Sequence, residues 1–187
     1  QAQSDDNREK NDEYLLSEST YNVLAEINKQ MQAGEYTRAL NKLRSLEQDV
    51  SDDYAKAVVQ QTFGYTYNGL QRYSQAAEAF INAVESDALP ADVSHKLDYF
   101  IAQLLTQTEN YERAVQYLDK WFADESDPNL DAYRLAAGVH YELNHYDRVI
   151  EYASTAINKS RQANENLYQL LLAAYFETKN YSRAASI

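Results

Sequence analysis

The sequence predicts an all-α fold in which antiparallel helix pairs stack into a solenoid. A tyrosine recurs just after a polar or Gly-containing turn, with a small residue three positions later. These tyrosines are Tyr36, Tyr73, Tyr111, Tyr146 and Tyr181, and successive ones are 37, 38, 35 and 35 residues apart. A repeat of this length indicates stacked supersecondary units. Only 4 Gly and 2 Pro occur in 187 residues, which favours helix nearly throughout.

Each repeat contains two segments with apolar residues at helical spacing, joined by about three residues. The clearest segment is the second helix of the second repeat, where Ala76, Ala77, Phe80, Ala83 and Val84 mark one apolar face. Because the connection is so short, the two helices of a pair must be antiparallel neighbours.

The other apolar sets predict the remaining helices. In chain order they are Tyr21, Leu24, Ala25, Ile27 and Met31; Ala39, Leu40, Leu43, Leu46 and Val50; Val59, Phe63, Tyr67 and Leu70; Leu97, Phe100, Ile101, Leu104 and Leu105; Ala114, Val115, Leu118 and Trp121; Tyr133, Ala136, Ala137 and His140; Val149, Ile150, Ala153, Ala156 and Ile157; and Leu167, Leu170, Leu171, Ala174 and Tyr175.

Helix start signals lie between the repeats. Residues 51–53, Ser-Asp-Asp, provide caps and first-turn acids for the second pair. Pro90 opens the third pair, with Asp92 in its first turn. Asp127, followed by Pro128 in the first turn, is the predicted N-cap of the fourth pair.

These signals predict one solenoid domain over residues 14–187, with repeats at about 14–50, 51–88, 89–126, 127–161 and 162–187. Residues 1–13 are polar and acidic, and we expect a disordered or partly helical leader there. The last repeat stops at Ile187, about two turns into its second helix. A repeat protein normally ends in a polar-faced cap, so we expect either a fragment or an open end buried on another copy.

Charge and composition narrow the class of partner. The net charge of −12, with no basic stripe, disfavours nucleic acid and anionic membrane surfaces. No run of about 18 apolar residues predicts a membrane span. The absence of Cys rules out disulfides and thiol chemistry and fits an oxidising compartment. The start at Gln1 instead of Met predicts either the end left by signal-peptide removal or an arbitrary boundary.

Catalytic signals are weak. His140 is expected to pack between helices, and its separation of five from His145 is not the i, i+4 spacing of two ligands on one helical face. His95 is expected at a solvated helix start. The acidic loop 124–127 lacks the glycine and spacing of a calcium loop. The sequence therefore predicts no enzyme activity, no cofactor and no metal site.

The second repeat resembles the tetratricopeptide repeat, a two-helix unit of about 34 residues. The residues that carry the resemblance are Phe63, Gly64, Tyr67, Tyr73, Ala76, Phe80 and Ala83. Gly64, Ala76 and Ala83 are small where helix axes approach closely, and Ala102 and Ala137 take the place of the glycine in later repeats. The resemblance implies a right-handed superhelical solenoid of about five repeats, the last one truncated.

More narrowly, the order of segments resembles periplasmic repeat proteins associated with the TonB–ExbB–ExbD energy-transduction system. The segments are 103–106 before 109–111, then 118–122, and later 173–176 before 180–181. This resemblance implies a periplasmic adaptor with TonB, ExbB or ExbD as partners. A cytoplasmic location, an adaptor of another envelope complex, and a structural protein that self-associates through its C-terminal repeat are the alternatives.

In the tetratricopeptide family the inner wall of the groove comes mostly from exposed positions of the first helices. The positions that this resemblance implies here are Gln61, Tyr65, Asn68, Tyr99, Gln103, Thr106, Arg134, Tyr141, Gln169 and Phe176. Aromatic and amide side chains suit an extended peptide, so binding is favoured for the groove as a whole, whereas an ordinary solvated or interhelical position is favoured for any one residue alone. Asn28 and Lys96 match parts of a family clamp for C-terminal carboxylates, but its other residues are missing and no such clamp is predicted.

Overall fold

The computed structural model describes residues 13–160, 162 and 164–187, which form ten α-helices and no strand. The helices are α1 (Glu18–Gln32), α2 (Tyr36–Asp49), α3 (Asp53–Gly69), α4 (Tyr73–Glu85), α5 (Ala91–Gln107), α6 (Tyr111–Asp124), α7 (Leu130–Glu142), α8 (Tyr146–Lys159), α9 (Glu165–Glu177) and α10 (Tyr181–Ala184). Helices joined by the three-residue turns pack on each other, as α1 does on α2 and α3 on α4. The prediction of an all-α fold of antiparallel pairs is confirmed.

The described residues fall into two compact units. The first unit ends at Leu104, and the second runs from Leu105 to Ile187, so that the division lies within α5. The single domain proposed for residues 14–187 stays a prediction. Residues 1–12 of the proposed leader lie outside the described residues. None of the described helices has the length and apolar character needed to cross a membrane.

The same turn joins the two helices of every pair. Its second residue has a positive φ and lies two positions before the repeat tyrosine: Gly34 at 76°, and Gln71, Glu109, Asn144 and Lys179 at 58° to 61°. In the turn after α3, the Arg72 N–H donates to the Tyr67 carbonyl at 2.9 Å and the Gln71 N–H to the Asn68 carbonyl at 3.0 Å. This pair of bonds is the Schellman helix ending, which satisfies the last carbonyls of the first helix.

Side-chain caps begin four of the described first helices, α1, α3, α7 and α9. The Ala55 N–H donates to Asp52 Oδ1 at 2.8 Å, as the sequence predicted for α3. At α7 the prediction of Asp127 as cap is wrong, because Asn129 has the extended conformation and its Oδ1 accepts from the Ala132 N–H at 2.9 Å. Asp127 instead forms an exposed ion pair with Lys159, with 3.3 Å between its Oδ1 and the ammonium nitrogen.

The core of the first unit lies between α1, α2, α3 and α4. Its fully buried residues include Ile27, Leu43 and Val59. Burial of each such side chain stabilises the fold by about 1.5–3 kcal/mol. Gly64 of α3 lies against the ring of Phe80 in α4, which is completely buried. The close approach predicted at Gly64 is therefore present.

An aromatic cluster forms much of the core of the second unit. The ring centroid of Phe122 is 5.2 Å from Trp121, 5.5 Å from Tyr133 and 5.2 Å from Tyr152. Trp121 and Tyr152 are buried, together with small residues such as Ala137. Through this cluster α6 packs against α7 and α8.

Candidate partner-binding surfaces

Five of the predicted groove residues lie in the first unit, on α3 and α5. Tyr65 is 44% exposed and Gln103 is exposed, whereas Gln61, Asn68 and Tyr99 are half-buried. We call the side of α3 that carries Tyr65 the first-helix face.

Tyr65 is both a surface residue and a packing residue. Its ring meets that of Phe80 edge-on with centroids 4.9 Å apart, and it lies roughly parallel to that of Phe100 at 6.3 Å. The two neighbours hold the tyrosine ring in one orientation. A fixed, half-exposed aromatic ring loses little conformational entropy when it contacts a partner.

A cavity of about 200 Å³ lies between α1 and α3, near the start of the same unit. Its lining includes Tyr21, Leu24 and Asn28 from α1, and Val58 and Thr62 from α3. Tyr21 belongs to the apolar set that predicts α1, but its side chain is 63% exposed. The spacing of seven between Tyr21 and Asn28 places both on one side of α1, and that was the available signal for this cavity.

The other five predicted residues belong to the second unit. Phe176 is 52% exposed and Gln169 is exposed, whereas Thr106, Arg134 and Tyr141 are half-buried. Arg134 Nη1 is 3.2 Å from Asp131 Oδ1, and its side chain lines a cavity of about 290 Å³.

Two further predicted residues of this unit interact with neighbours on the surface. The Gln169 amide donates to Glu165 Oε1 at 3.0 Å, so part of its hydrogen-bonding capacity is used within α9. The ring of Tyr141 meets that of Tyr146 edge-on at 6.1 Å. Both side chains are anchored by these contacts, and neither is brought into one cavity with Arg134 in the described part of the chain.

Two adjoining cavities, of about 390 and 370 Å³, lie in the first unit between α2, α3 and α4. They share Glu47, Gln60 and Asn82 in their linings, and we call them together the α2–α4 groove. Phe63 and Tyr67, whose rings are stacked at 6.0 Å, line the larger cavity. Sequence reasoning missed this surface, because apolar spacing marks Phe63 and Tyr67 as interhelical residues without showing that a groove opens beside them.

A histidine pair lies at the turn between α7 and α8. His140 is only 4% exposed, which confirms its predicted place in the core, and its ring stacks on Tyr152 at 5.6 Å. The turn also brings His145 into contact, with 3.1 Å between the two Nδ1 atoms. One ring donates a hydrogen bond and the other accepts it. Among the described residues, no three His, Asp or Glu side chains are grouped to hold a metal ion.

The surroundings of His140 favour its neutral form. Burial lowers the pKa of His140, and the positive charge of Arg148 and the ring of His145 lower it further. The Arg148 guanidinium itself is 2.8 Å from Glu151 and 3.8 Å from Asp119, and these carboxylates partly oppose the lowering. The His140 ring that is hydrogen-bonded to His145 is therefore neutral at neutral pH.

The helix pairs, the repeated left-handed turn and the small residues at close helix approaches define a tetratricopeptide-type repeat fold. Solved structures of MamA share it. MamA 41-end from Desulfovibrio magneticus RS-1 has a TM-score of 0.68 at 15% identity, with 92% of each chain covered. Another MamA crystal structure gives 0.70 at 18% identity, over 91% of this chain and 88% of that chain.

A more distant structure is that of BtubC from P. vanneervenii, with a TM-score of 0.57 at 16% identity over 88% of this chain and 74% of that chain. At these identities the similarity shows the fold alone. No protein-family model matches the chain, and no curated protein matches it.

Proposed function

We propose that this protein is a protein-interaction scaffold, and that its first-helix face binds an extended segment of a partner protein. The observation that supports this most is the exposure of Tyr65, whose ring is held in place by contacts with Phe80 and Phe100. Anchored aromatic rings beside amide side chains are typical of peptide-binding surfaces. The repeat fold is compatible with this role and does not by itself choose the partner.

We further propose that the scaffold is a periplasmic adaptor of a TonB-type envelope system, with TonB, ExbB or ExbD as partner. Support comes from the resemblance of segments 103–106, 118–122 and 173–176 to such proteins, and from the absence of Cys. The net charge of −12 favours a partner with a basic surface, because opposite charge speeds encounter.

The test is site-specific photo-crosslinking in intact cells, with the full-length protein carrying a photoreactive amino acid at Tyr65. The matched control carries the same group at Gln116, an exposed position of the second helix α6. We expect adducts of TonB, ExbB or ExbD from position 65 and not from position 116. Equal labelling from both positions, or none from position 65, would remove the first-helix face as the binding surface.

Two other outcomes separate the parts of the proposal. A different envelope protein recovered reproducibly from position 65 alone would refute the TonB assignment and retain the scaffold. Recovery of the protein's own chain alone would favour self-assembly, which light scattering over a range of concentrations then checks.

Substitution supplies an independent test of the predicted groove residues. Alanine at Tyr65, Tyr99 and Tyr141 together should abolish binding of the captured partner. Tyr65→Phe keeps the ring on Phe80 and Phe100 and serves as the packing control, so it should retain the fold. A triple variant that binds normally would contradict the assignment of these residues.

A further inference from the structure

The α2–α4 groove lies on the opposite side of α3 from the first-helix face. At about 100° per residue, Tyr67 lies roughly 160° around the helix from Tyr65. Gln60 and Phe63 fall on the side of Tyr67, and Gln61 falls toward the side of Tyr65. A segment bound to the first-helix face therefore leaves this groove open, and the two surfaces can be tested independently.

The groove has the size and chemical lining of a binding site. Volumes of about 390 and 370 Å³ are each in the range of ligand pockets. The apolar part of the larger cavity comes from Phe63, Tyr67 and Ala79. Amide side chains from Gln75 and Asn82 line the same cavity, and both residues are exposed. Such amides can both donate to and accept from a peptide backbone.

The charge of the larger cavity points to a cationic occupant. Among the described residues that line it are two carboxylates, Glu47 and Glu78, and no Lys or Arg. Glu47 accepts a hydrogen bond from the Gln60 amide at 3.0 Å, which orients its carboxylate without cancelling its charge. The stacked Phe63 and Tyr67 rings add a π-face, and a Lys or Arg side chain is attracted to such a face.

The smaller cavity is suited to a different side chain. Val50, Ala57 and Val59 line it together with Lys56, which lies at this end of the groove. Glu47 also lines this cavity and offsets the charge of Lys56, so no net charge draws a second cation there, and the valine and alanine side chains favour an apolar one. Because the two cavities adjoin, a segment bound across both would have a cationic residue next to an apolar one.

We propose that the α2–α4 groove is a second binding site, which takes an extended peptide segment of a partner protein with a Lys or Arg beside an apolar residue. The cationic side chain enters the larger cavity beside the Glu47 carboxylate and lies over Tyr67. The neighbouring apolar side chain fills the smaller cavity. The side-chain amides of Gln75 and Asn82 form hydrogen bonds with the backbone of the bound peptide.

The experiment selects a random phage-displayed peptide library on the full protein at low ionic strength, and measures the enriched peptides by fluorescence anisotropy. We expect them to contain a Lys or Arg next to an apolar residue. Glu47→Lys with Glu78→Lys should weaken their binding by about tenfold or more, because like charges then meet in the cavity. Glu177→Lys, a similar change at an exposed glutamate of α9, should leave the affinity within about twofold.

Other variants and conditions decide whether the groove is the site. Far-ultraviolet circular dichroism and a matching urea midpoint show that the double variant is folded. Tyr65→Ala should not change the affinity, and raising the salt concentration should lower it. Binding that survives the double variant, enriched peptides without cations, or no enrichment over the double variant would each overturn the inference. Loss of binding on Tyr65→Ala alone would overturn it as well and would instead favour the first-helix face.

Discussion

Gly64→Ala tests the close helix approach on which the first unit depends. An added Cβ would lie 2.5 Å from Phe80 Cε1, 2.6 Å from Cδ1 and 2.7 Å from Cγ. Ordinary contacts between carbon atoms are about 3.5–4.0 Å. Rotation of the Phe80 ring about the Cβ–Cγ bond does not move Cγ, so it cannot relieve the conflict at that atom. The ring centroid also lies 5.1 Å from that of Phe100, which limits a larger shift.

Two effects of opposite sign determine how much Gly64→Ala changes the free energy of unfolding. Gly to Ala inside a helix is favourable by about 1 kcal/mol. Overpacking of a dense core costs about 1–3 kcal/mol, and a fully buried ring with three atoms in conflict belongs at the upper end. We therefore expect Gly64→Ala to lower the free energy of unfolding by about 2 kcal/mol.

The assay is urea unfolding followed by circular dichroism, and Gly138→Ala is the matched control. Gly138 is also inside a helix, α7, but an added Cβ there meets no heavy atom within 4 Å. Only the helix-propensity gain remains, so this variant should be more stable by about 1 kcal/mol. If Gly64→Ala were as stable as Gly138→Ala, the reasoning about Phe80 would be refuted.

The remaining predictions concern other helix ends and the buried imidazole. Gly69→Ala should destabilise the first unit, because its Cβ would strike the ring of Tyr36; an unchanged urea midpoint would contradict this. Asn129→Ala should lower the free energy of unfolding by about 1 kcal/mol, because the cap of α7 is lost. Asn158→Ala, at an exposed position of α8, should change it little. Folding lowers the pKa of His140, so the protein is most stable with respect to this group above the unfolded pKa of about 6.5. As the pH drops below that value, the free energy of unfolding should fall by at most about 1.4 kcal/mol per pH unit. His140→Gln should flatten this part of the stability profile, and parallel profiles would count against the assignment.

Sequence patterns predicted the features that depend on neighbouring residues along the chain. The period of the tyrosines and the small residues Gly64, Ala76 and Ala83 predicted paired helices in close contact, and all three small residues are buried. Apolar spacing placed Ile27 and Leu43 correctly in the core. These predictions succeed because helix periodicity and short connections are local properties.

Features that depend on distant residues were not predicted. Asp127 and Asn129 are both good capping residues, and an ion pair between Asp127 and Lys159 accompanies the choice of Asn129. Tyr21 has core-like spacing but lies on an uncovered side of α1. The α2–α4 groove requires three helices to leave a space between them, and no single helix encodes that space.

The turn inside each pair has a consequence for how the repeats tolerate changes in length. Because that turn always has three residues, differences in repeat length arise mainly in the first helices and in the connections between pairs, and the second helices α2, α4, α6 and α8 differ by at most one residue. α3 and α5 have 17 residues, whereas α7 and α9 have 13. Four residues are about one helical turn, so the longer helices gain length while their buried and exposed sides keep nearly the same register. An engineer who changes a first helix by whole turns should thus preserve its binding side, whereas a change of two residues would rotate that side into the core.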